Sequence, residues 1–427
     1  MATTTETYND DELTPPEFLT IEFLTEVIKH CEADENIVVT DLKLTPGTAK
    51  GDHYASVMFR AVVEYKQKGE TKKKSMIIKT TPDADGVKKD MLEQTTVFEV
   101  EIGMYTKVLD KFEEILRSIG DDTVLKAKCL YHSLSPKKVI IFEDLVTLGY
   151  EVVRKRPLDI NELKAVYSKL AKWHALSCKI GFEDPSYFDE YRNGIFSATL
   201  ALENDFFKDS VKNFIEVLKS NPKLTQYVPY FQALDKDVLR KCKDTYNEYR
   251  NNPQESAFYV LCHGDFHNKN LMLKHNTKTG SLEDVMLLDF QFCYFGPIAN
   301  DLLYSYYMLL NAEQRQNNYN ELLYHYYKEF VQVLKKVDFK GPKLTLAALK
   351  EQIYSHKHFE LFLMVAFLPM WYKFQKGSLD AGDLMVSAEV RANMLQNDDY
   401  LKEIEILLPR YLHLGYFEDL TDDAKND

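Results

Sequence analysis

The chain has 427 residues and a mass of 49.7 kDa, with 45% apolar and 28% charged residues. This composition excludes a disordered, collagenous or disulfide-scaffold chain and leaves length for roughly two or three domains with real cores. Lys plus Arg is 53 and Asp plus Glu is 66, a net charge of −13, so bulk charge argues against nucleic acid or an anionic membrane as partner.

Residues 1–18 are polar and acidic and end at Pro15-Pro16. They are expected to form a disordered leader and resemble neither a signal nor a transit peptide. Residues 19–142 read as β-rich. The stretch 57–65 alternates apolar and polar side chains. Met76-Ile77-Ile78 follows a polar run, 66–74, which reads as a hairpin turn. Val139-Ile140-Ile141-Phe142 reads as a short buried strand. One helix interrupts the strands, with Phe98, Ile102, Tyr105 and Leu109 on one face. Residues 143–150 read as a hinge. From 151 to 417 the pattern is mainly helical. A helix over 158–178 has Asp159 as N-cap and Glu162 three residues on, the capping-box spacing. Its inner stripe is Leu163, Val166, Leu170, Trp173 and Ser177. Further helices are expected over 199–219, 236–250, 300–311, 318–336, 346–376 and 383–408. The acidic tail 418–427 is expected to fray. The run from Leu361 to Tyr372 is interrupted by Pro369 and is shorter than the ~20 residues of a membrane span, so it reads as a core helix. Six scattered cysteines without a C-x-x-C pair argue against a zinc module or a cystine framework. The expectation is a cytoplasmic chain with reduced thiols and no membrane insertion. Its class is α+β, a β-rich N-lobe followed by a larger helical C-lobe.

The chemistry is concentrated in residues 259–301. Tyr259 to Cys262 form an apolar strand that ends in His263-Gly264-Asp265, and Asn270 follows. A second strand end delivers Asp289 in Asp289-Phe290-Gln291. Phosphoryl transfer from ATP needs this set. One Asp takes the proton of the acceptor hydroxyl, and an Asn and a second Asp hold the Mg²⁺ that neutralises the phosphates. The pattern H-G-D-x-x-x-x-N with D-F-Q parallels the H-R-D-x-x-x-x-N and D-F-G of protein kinases. Asp265 is thus the candidate base, and Asn270 and Asp289 are the candidate metal ligands. A rival reading takes His263, Asp265 and His267 as an H-x-D-x-H metal loop of a hydrolase. It is set aside because no second His cluster follows at a useful spacing. His263 is expected to brace the loop, and His267 to be incidental.

A kinase also needs a cation at the phosphates, held by a helix carboxylate. Lys79 ends the apolar strand as that role requires. At about 100° per residue, Glu101 lies about 60° from Phe98 and Glu99 about 100°, so Glu101 borders the apolar stripe and is the chosen partner. Gly47 and Gly51 are the glycines of a glycine-poor phosphate loop, and Gly51 is its nucleotide-binding candidate. Glu143, Asp144 and Leu145 follow a buried strand, where their backbone is expected to meet an adenine edge.

With these residues in order, the chain resembles the insect ecdysteroid-kinase-like (CHK-kinase-like) family, grouped with choline kinases and aminoglycoside phosphotransferases in the protein-kinase-like superfamily. The resemblance runs from about residue 40 to about 415 and is carried by 140–145, 261–270 and 284–301. It also includes Leu170-Ala171-Lys172-Trp173-His174-Ala175 and Gly296-Pro297 leading to Asp301-Leu302. It implies a bilobal protein-kinase-like fold, with Asp265 as base, Asn270 and Asp289 on Mg²⁺, and Lys79 with Glu101 at the phosphates of ATP. It further implies that Asp301 braces the catalytic loop and that His174 packs within its helix. Where the family carries Trp in the loop, this chain has His267. The implied acceptor is the hydroxyl of a small molecule, an ecdysteroid or a hydroxylated foreign compound, in hormone inactivation or detoxification. Phe359, Phe362, Phe367, Trp371, Tyr372 and Phe374 are compatible with an apolar acceptor. Two alternatives remain. One is a hydrophobic-ligand binding protein without turnover. The other is a choline or aminosugar kinase.

Overall fold

The structure is a computed structural model that describes residues 13–47, 56–83, 92, 95–154, 156–196, 204–375, 384 and 387–422. It divides into two compact units. The first gathers 1–114, 122–152 and 272–291; the second gathers 115–121, 153–271 and 292–427.

In the first unit, helix α1 (Ile21–Glu32) precedes strands β1 (Val38–Pro46), β2 (Val57–Gln67) and β3 (Glu70–Thr80). Helix α2 (Val97–Gly103), a π-helical turn (Met104–Val108) and helix α3 (Leu109–Ser118) follow, then β4 (Cys129–Ser133) and β5 (Val139–Glu143). The five strands form one antiparallel sheet in the order β1-β2-β3-β5-β4. Strand β2 shows why: Val57, Phe59, Ala61, Val63 and Tyr65 are buried, and the residues between them are only half-buried. That is the period of two of a strand packed on one face. Leu24, Val27 and Ile28 of α1 join the same core.

The β2–β3 turn is only Lys68-Gly69, with φ of 51° and 84°. Two left-handed residues make the tight turn whose twist matches the strands. The polar run 66–74 expected as the turn is therefore mostly strand. Strands β1 and β4, unread in the sequence, are the sheet edges. Edge strands lack the burial on both sides that writes a clear apolar pattern. The helix read through Phe98 and Leu109 is present but carries the π turn, which widens the backbone bond from i+4 to i+5.

After β5, a 3-10 turn (Leu145–Leu148) leads to β6 (Tyr150–Glu151). Four strands come much later: β7 (Tyr259–Cys262), β8 (Leu271–His275), β9 (Leu282–Leu287) and β10 (Tyr294–Pro297). β6, β8 and β9 form one sheet. This pairing draws Met272–Gln291 into the first unit, whereas the sequence reading kept all of 151–417 in one lobe.

The second unit is helical apart from the β7–β10 pair. Helix α4 (Ile160–Glu183) starts at Asp159, whose side chain accepts from Asn161 N and Glu162 N, while Glu162 returns to Asp159 N. Its inner stripe is buried along its whole length. Then come α5 (Asp205–Ser220), α6 (Val228–Asp235), α7 (Val238–Asn251), α8 (Ala299–Met308), α9 (Ala312–Asn317), α10 (Tyr319–Lys336), α11 (Leu346–Ser355) and α12 (Lys357–Gln375). Last are α13 (Ala388–Met394), α14 (Asp398–His413) and α15 (Glu418–Asp422). The single helix expected over 346–376 is broken at His356, whose Nε2 lies 2.8 Å from Glu248. The one expected over 383–408 is broken before Asn397, which caps α14. The start of the tail is helical rather than frayed, because Leu420 is buried. At the other end, Phe18 of the expected leader packs edge-on against Phe23.

The run from Leu361 to Tyr372 lies in α12 and is almost wholly buried. Among the described residues no helix is long and apolar enough to cross a membrane. The six cysteines are all free.

Candidate active site

In the first unit, Ile78 of β3 points into the core, so alternation sends Lys79 to the other face. Lys79 is 3% exposed. Its Nζ lies 2.5 Å from Glu101 Oε2 and 2.7 Å from Asp289 Oδ1. The helix face thus delivers Glu101 to the lysine, while Glu99 pairs with Lys138 at 3.1 Å near the surface. Phe290 N–H also hydrogen-bonds Glu101. The Phe290 ring lies 4.9 Å from Tyr105 of the π turn, which in turn lies 4.6 Å from Phe142. Asp289 follows the end of β9 with φ at 63°, a left-handed conformation uncommon outside Gly, Asn and Asp. Gln291 secures it: Nε2 donates to Asp289 Oδ2 at 3.1 Å, and Oε1 accepts from Lys79 at 3.4 Å.

Burial pulls the Lys79 ammonium down, but the carboxylates of Asp289 and Glu101 outweigh it and raise its pKa. The lysine is a fixed positive charge. Burial raises the Glu101 carboxyl above its ordinary range, against the pull of Lys79. A charge-assisted hydrogen bond contributes about 1.5–3 kcal/mol, and an exposed ion pair about 0–1 kcal/mol. Glu101→Ala is therefore expected to destabilise the fold by about 1.5–3 kcal/mol, and Glu99→Ala by about 0–1 kcal/mol. Urea titration of both variants checks this. Equal effects would show that the Lys79–Glu101 pair contributes no more than a surface pair.

The second unit holds the catalytic-loop motif. β7 ends at Cys262, and the next two amides donate to one carboxylate: His263 N to Asp301 Oδ2 at 2.6 Å and Gly264 N to Asp301 Oδ1 at 3.0 Å. Asp301 is 1% exposed and also meets His174 Nε2 at 3.1 Å, with His174 Nδ1 2.6 Å from Tyr326 OH. His174 therefore reaches beyond its own helix to the residue that braces the loop. His263 Nδ1 accepts Asp265 N–H at 3.4 Å. Gly264 has φ of +81°, and a Cβ there would lie 2.2 Å from the Phe292 carbonyl oxygen. No side chain fits. Gly264→Ala is expected to destabilise the fold by about 1–3 kcal/mol and to lower kcat by about 100-fold through displacement of Asp265. A melting curve and an initial-rate assay test both; an unchanged variant would mean that the loop geometry is not required.

Asp265 Oδ1 accepts from Tyr304 OH at 2.6 Å and lies 3.3 Å from His267 Nε2. His267 Nδ1 accepts from Lys269 N–H, so its proton sits on Nε2 and points at Asp265. Asn270 Nδ2 donates to Asp265 O at 3.0 Å and to Oδ2 at 3.2 Å. Burial would raise the Asp265 carboxyl, but His267 and Tyr304, with His263, outweigh it and hold it down to about 2. The group is an ionised acceptor at neutral pH.

The hinge candidates take other parts. Glu143 N–H already donates to Lys128 O, and its Oε1 accepts Lys128 N–H. The adenine-edge role expected of Glu143 is therefore closed to that N–H. Asp144 is 3% exposed and bonds Arg60 Nε and Ser75 Oγ, both at 2.7 Å, and it caps Val146 N. Leu145 is buried in the 3-10 turn. Gly51 lies outside the described residues. A cleft of about 670 Å³ in the first unit is lined by Tyr105, Asp110, Glu113, Lys126, Cys129 and Glu143 among others, and holds none of Lys79, Glu101 or Asp289.

Three residues escaped the sequence reading. The sequence reading takes His267 as incidental, and the available signal is its position two residues after Asp265. Gln291 was noted only where a protein kinase has Gly. Tyr304 had the one available sign of standing three residues, about one helical turn, after Asp301. Of the aromatic stretch, Phe359 and Phe362 pack in the core around Phe196. Phe367 reaches Tyr304 at 5.4 Å, and Phe374 lies 4.0 Å from Lys269 Nζ.

Among the described residues no group of three His, Cys, Asp or Glu side chains could hold a metal ion. Mg²⁺ needs less: one or two protein oxygens, with phosphate and water oxygens completing the set. Asn270 in the second unit and Asp289 in the first each carry a side-chain oxygen of that kind. Asn270 Nδ2 faces Asp265, so its carbonyl oxygen stays available as a ligand.

Residues 50–339 match the ecdysteroid kinase-like family. An uncharacterized kinase-like protein of Caenorhabditis elegans is 26% identical over 240 residues, 56% of this chain and 57% of that protein. The chain thus spans little more than half the length of that relative. Among solved structures, choline kinase from Cryptosporidium parvum is similar with 12% identity and a TM-score of 0.44, over 88% of this chain and 91% of that one. A glucosamine kinase in complex with glucosamine, ADP and inorganic phosphate has 12% identity and a TM-score of 0.21, over 96% and 99%. With more than half of its length matched, on a β-sheet N-terminal region and a helical C-terminal part, the chain belongs to the ecdysteroid kinase-like family.

Proposed function

We propose that the protein transfers the γ-phosphate of ATP to an alcohol group of a small molecule. The observation that carries this reading is Asp265: a half-buried, ionised carboxylate with three donors around it, in a loop whose backbone is itself braced by Asp301. Such a group can orient a hydroxyl and take its proton as the oxygen attacks phosphorus. Lys79, held by Glu101 and Asp289, is a fixed cation suited to the phosphates of ATP. Asn270 and Asp289 would hold Mg²⁺, which when bound neutralises the charge of the transferring phosphate.

The acceptor we favour is an ecdysteroid or another hydrophobic hydroxylated compound. Family membership supports this, as do the rings of Phe367 and Phe374 against residues beside Asp265. A choline-type acceptor would need an aromatic cage or carboxylates around its cation. The test is transfer of labelled γ-phosphate to ecdysteroids, other steroids, glycosylated plant compounds, choline and glucosamine. Phosphorylation of a steroid hydroxyl is expected. Rapid turnover of choline or glucosamine alone would move the assignment to the choline or aminosugar branch. Tight steroid binding without turnover would make this a hydrophobic-ligand binding protein.

A further inference from the structure

The side chain of Asp265 is held by a second helix residue to which the phosphotransfer reading gives no separate role. Helix α8 carries Asp301 and, three residues on, Tyr304. Residues at that spacing share a helix face. Asp301 fixes the loop backbone at His263 and Gly264, and Tyr304 fixes the carboxylate by donating to Oδ1 at 2.6 Å. Tyr304 is 3% exposed, and its ring stands edge-on to Phe367 at 5.4 Å, so the phenol is anchored from behind.

The oxygens of Asp265 are then unequal. A carboxylate offers about four acceptor positions, two on each oxygen. Oδ1 meets two donors, Tyr304 OH at 2.6 Å and His267 Nε2 at 3.3 Å, and Oδ2 meets one, Asn270 Nδ2 at 3.2 Å. We infer that Tyr304 is a positioning residue for phosphotransfer, which locks the Asp265 carboxylate so that Oδ2 alone receives the acceptor proton. This rests on the kinase reading above. In the step, the acceptor oxygen bonds to the γ-phosphorus and its proton passes to Asp265 Oδ2. The bond from that phosphorus to the β,γ-bridging oxygen breaks, and ADP leaves with its electron pair. Asp265 then returns the proton to solvent.

The test is a double-mutant cycle with Tyr304→Phe and Asp265→Asn, assayed with Mg·ATP and ecdysone and, in parallel, with water as acceptor. Tyr304→Phe is expected to lower kcat by about 10- to 100-fold with the KM for ATP within about twofold, the scale of one hydrogen bond to a charged group. In the Asp265→Asn background the same change should cost less than about threefold, because the bond it removes acts only through the carboxylate. A residue that merely supports the fold would lower both backgrounds equally. Should the Phe variant melt below the assay temperature, 3-fluorotyrosine at position 304 keeps the shape and alters only the donor; a changed kcat with unchanged KM is then expected. Wild-type kcat in either Tyr304 variant, or losses that multiply in the cycle, would overturn the inference and leave the kinase reading standing. Wild-type rates in Asp265→Asn, or no turnover of ATP by the wild-type protein with either acceptor, would overturn both.

Discussion

Asp265→Asn is expected to lower kcat by about 10²- to 10⁴-fold, the usual contribution of a general base, while the KM for ATP stays within a few-fold. Asn keeps the shape of Asp and takes no proton. The substitution also puts an amide where three donors converge on Asp265, so the side chain loses its charge and part of its fixed orientation together. A stability effect accompanies the kinetic one. The Asp265 carboxyl is held down to about 2 in the folded chain against about 3.9 in an unfolded one. A depressed carboxylate stabilises the fold above its unfolded value. That contribution, about 2 kcal/mol, is lost as pH falls from about 4 to about 2. At neutral pH the Asn variant should therefore unfold at lower urea concentration than wild type, and the gap should close towards pH 2. Initial rates with labelled ATP and urea titrations at several pH values check the two halves. A variant with wild-type turnover would remove Asp265 from the reaction.

The second large effect is expected at Asp289. Asn at this position keeps the volume and tolerates the left-handed backbone, where φ is 63°, so Asp289→Asn tests charge with little added strain. Lys79 keeps Glu101 as partner at 2.5 Å, and the fold should survive. The lost carboxylate holds Lys79 and, on the proposed function, would also hold the metal that accompanies ATP. Removing one partner of a buried charge pair costs about 2–5 kcal/mol, or roughly 30- to 4,000-fold in affinity. Magnesium-dependent nucleotide binding should fall by that factor, and titration of Mg²⁺ at fixed ATP should no longer raise affinity. Gln291, which clamps Asp289 from the other oxygen, cannot replace the charge. Binding of Mg·ATP at wild-type affinity would show that Asp289 is not a metal ligand.

Elements with a local signal were legible before folding. Period-two burial marked β2. The Asp159–Glu162 pair marked the start of α4 to the residue. The apolar run from Tyr259 to Cys262 marked β7 and so placed His263-Gly264-Asp265 at a strand end. The choice of Glu101 over Glu99 was legible too, because one helical turn fixes which carboxylate borders the buried stripe. Other features depend on partners far along the chain and emerge only on folding. The pairing of β6 with β8 moved Met272–Gln291 into the first unit, and no local pattern encodes which distant strand a two-residue strand will meet. Gly264 is required because Phe292 O passes 2.2 Å from where its Cβ would be. Tyr304 reaches Asp265 across 39 residues, and His174 reaches Asp301 across 127. A hydrogen bond of that range leaves no trace in hydropathy. It forms only when folding has excluded water from both partners, and then each buried polar group must be paired with whatever the packing has brought within reach.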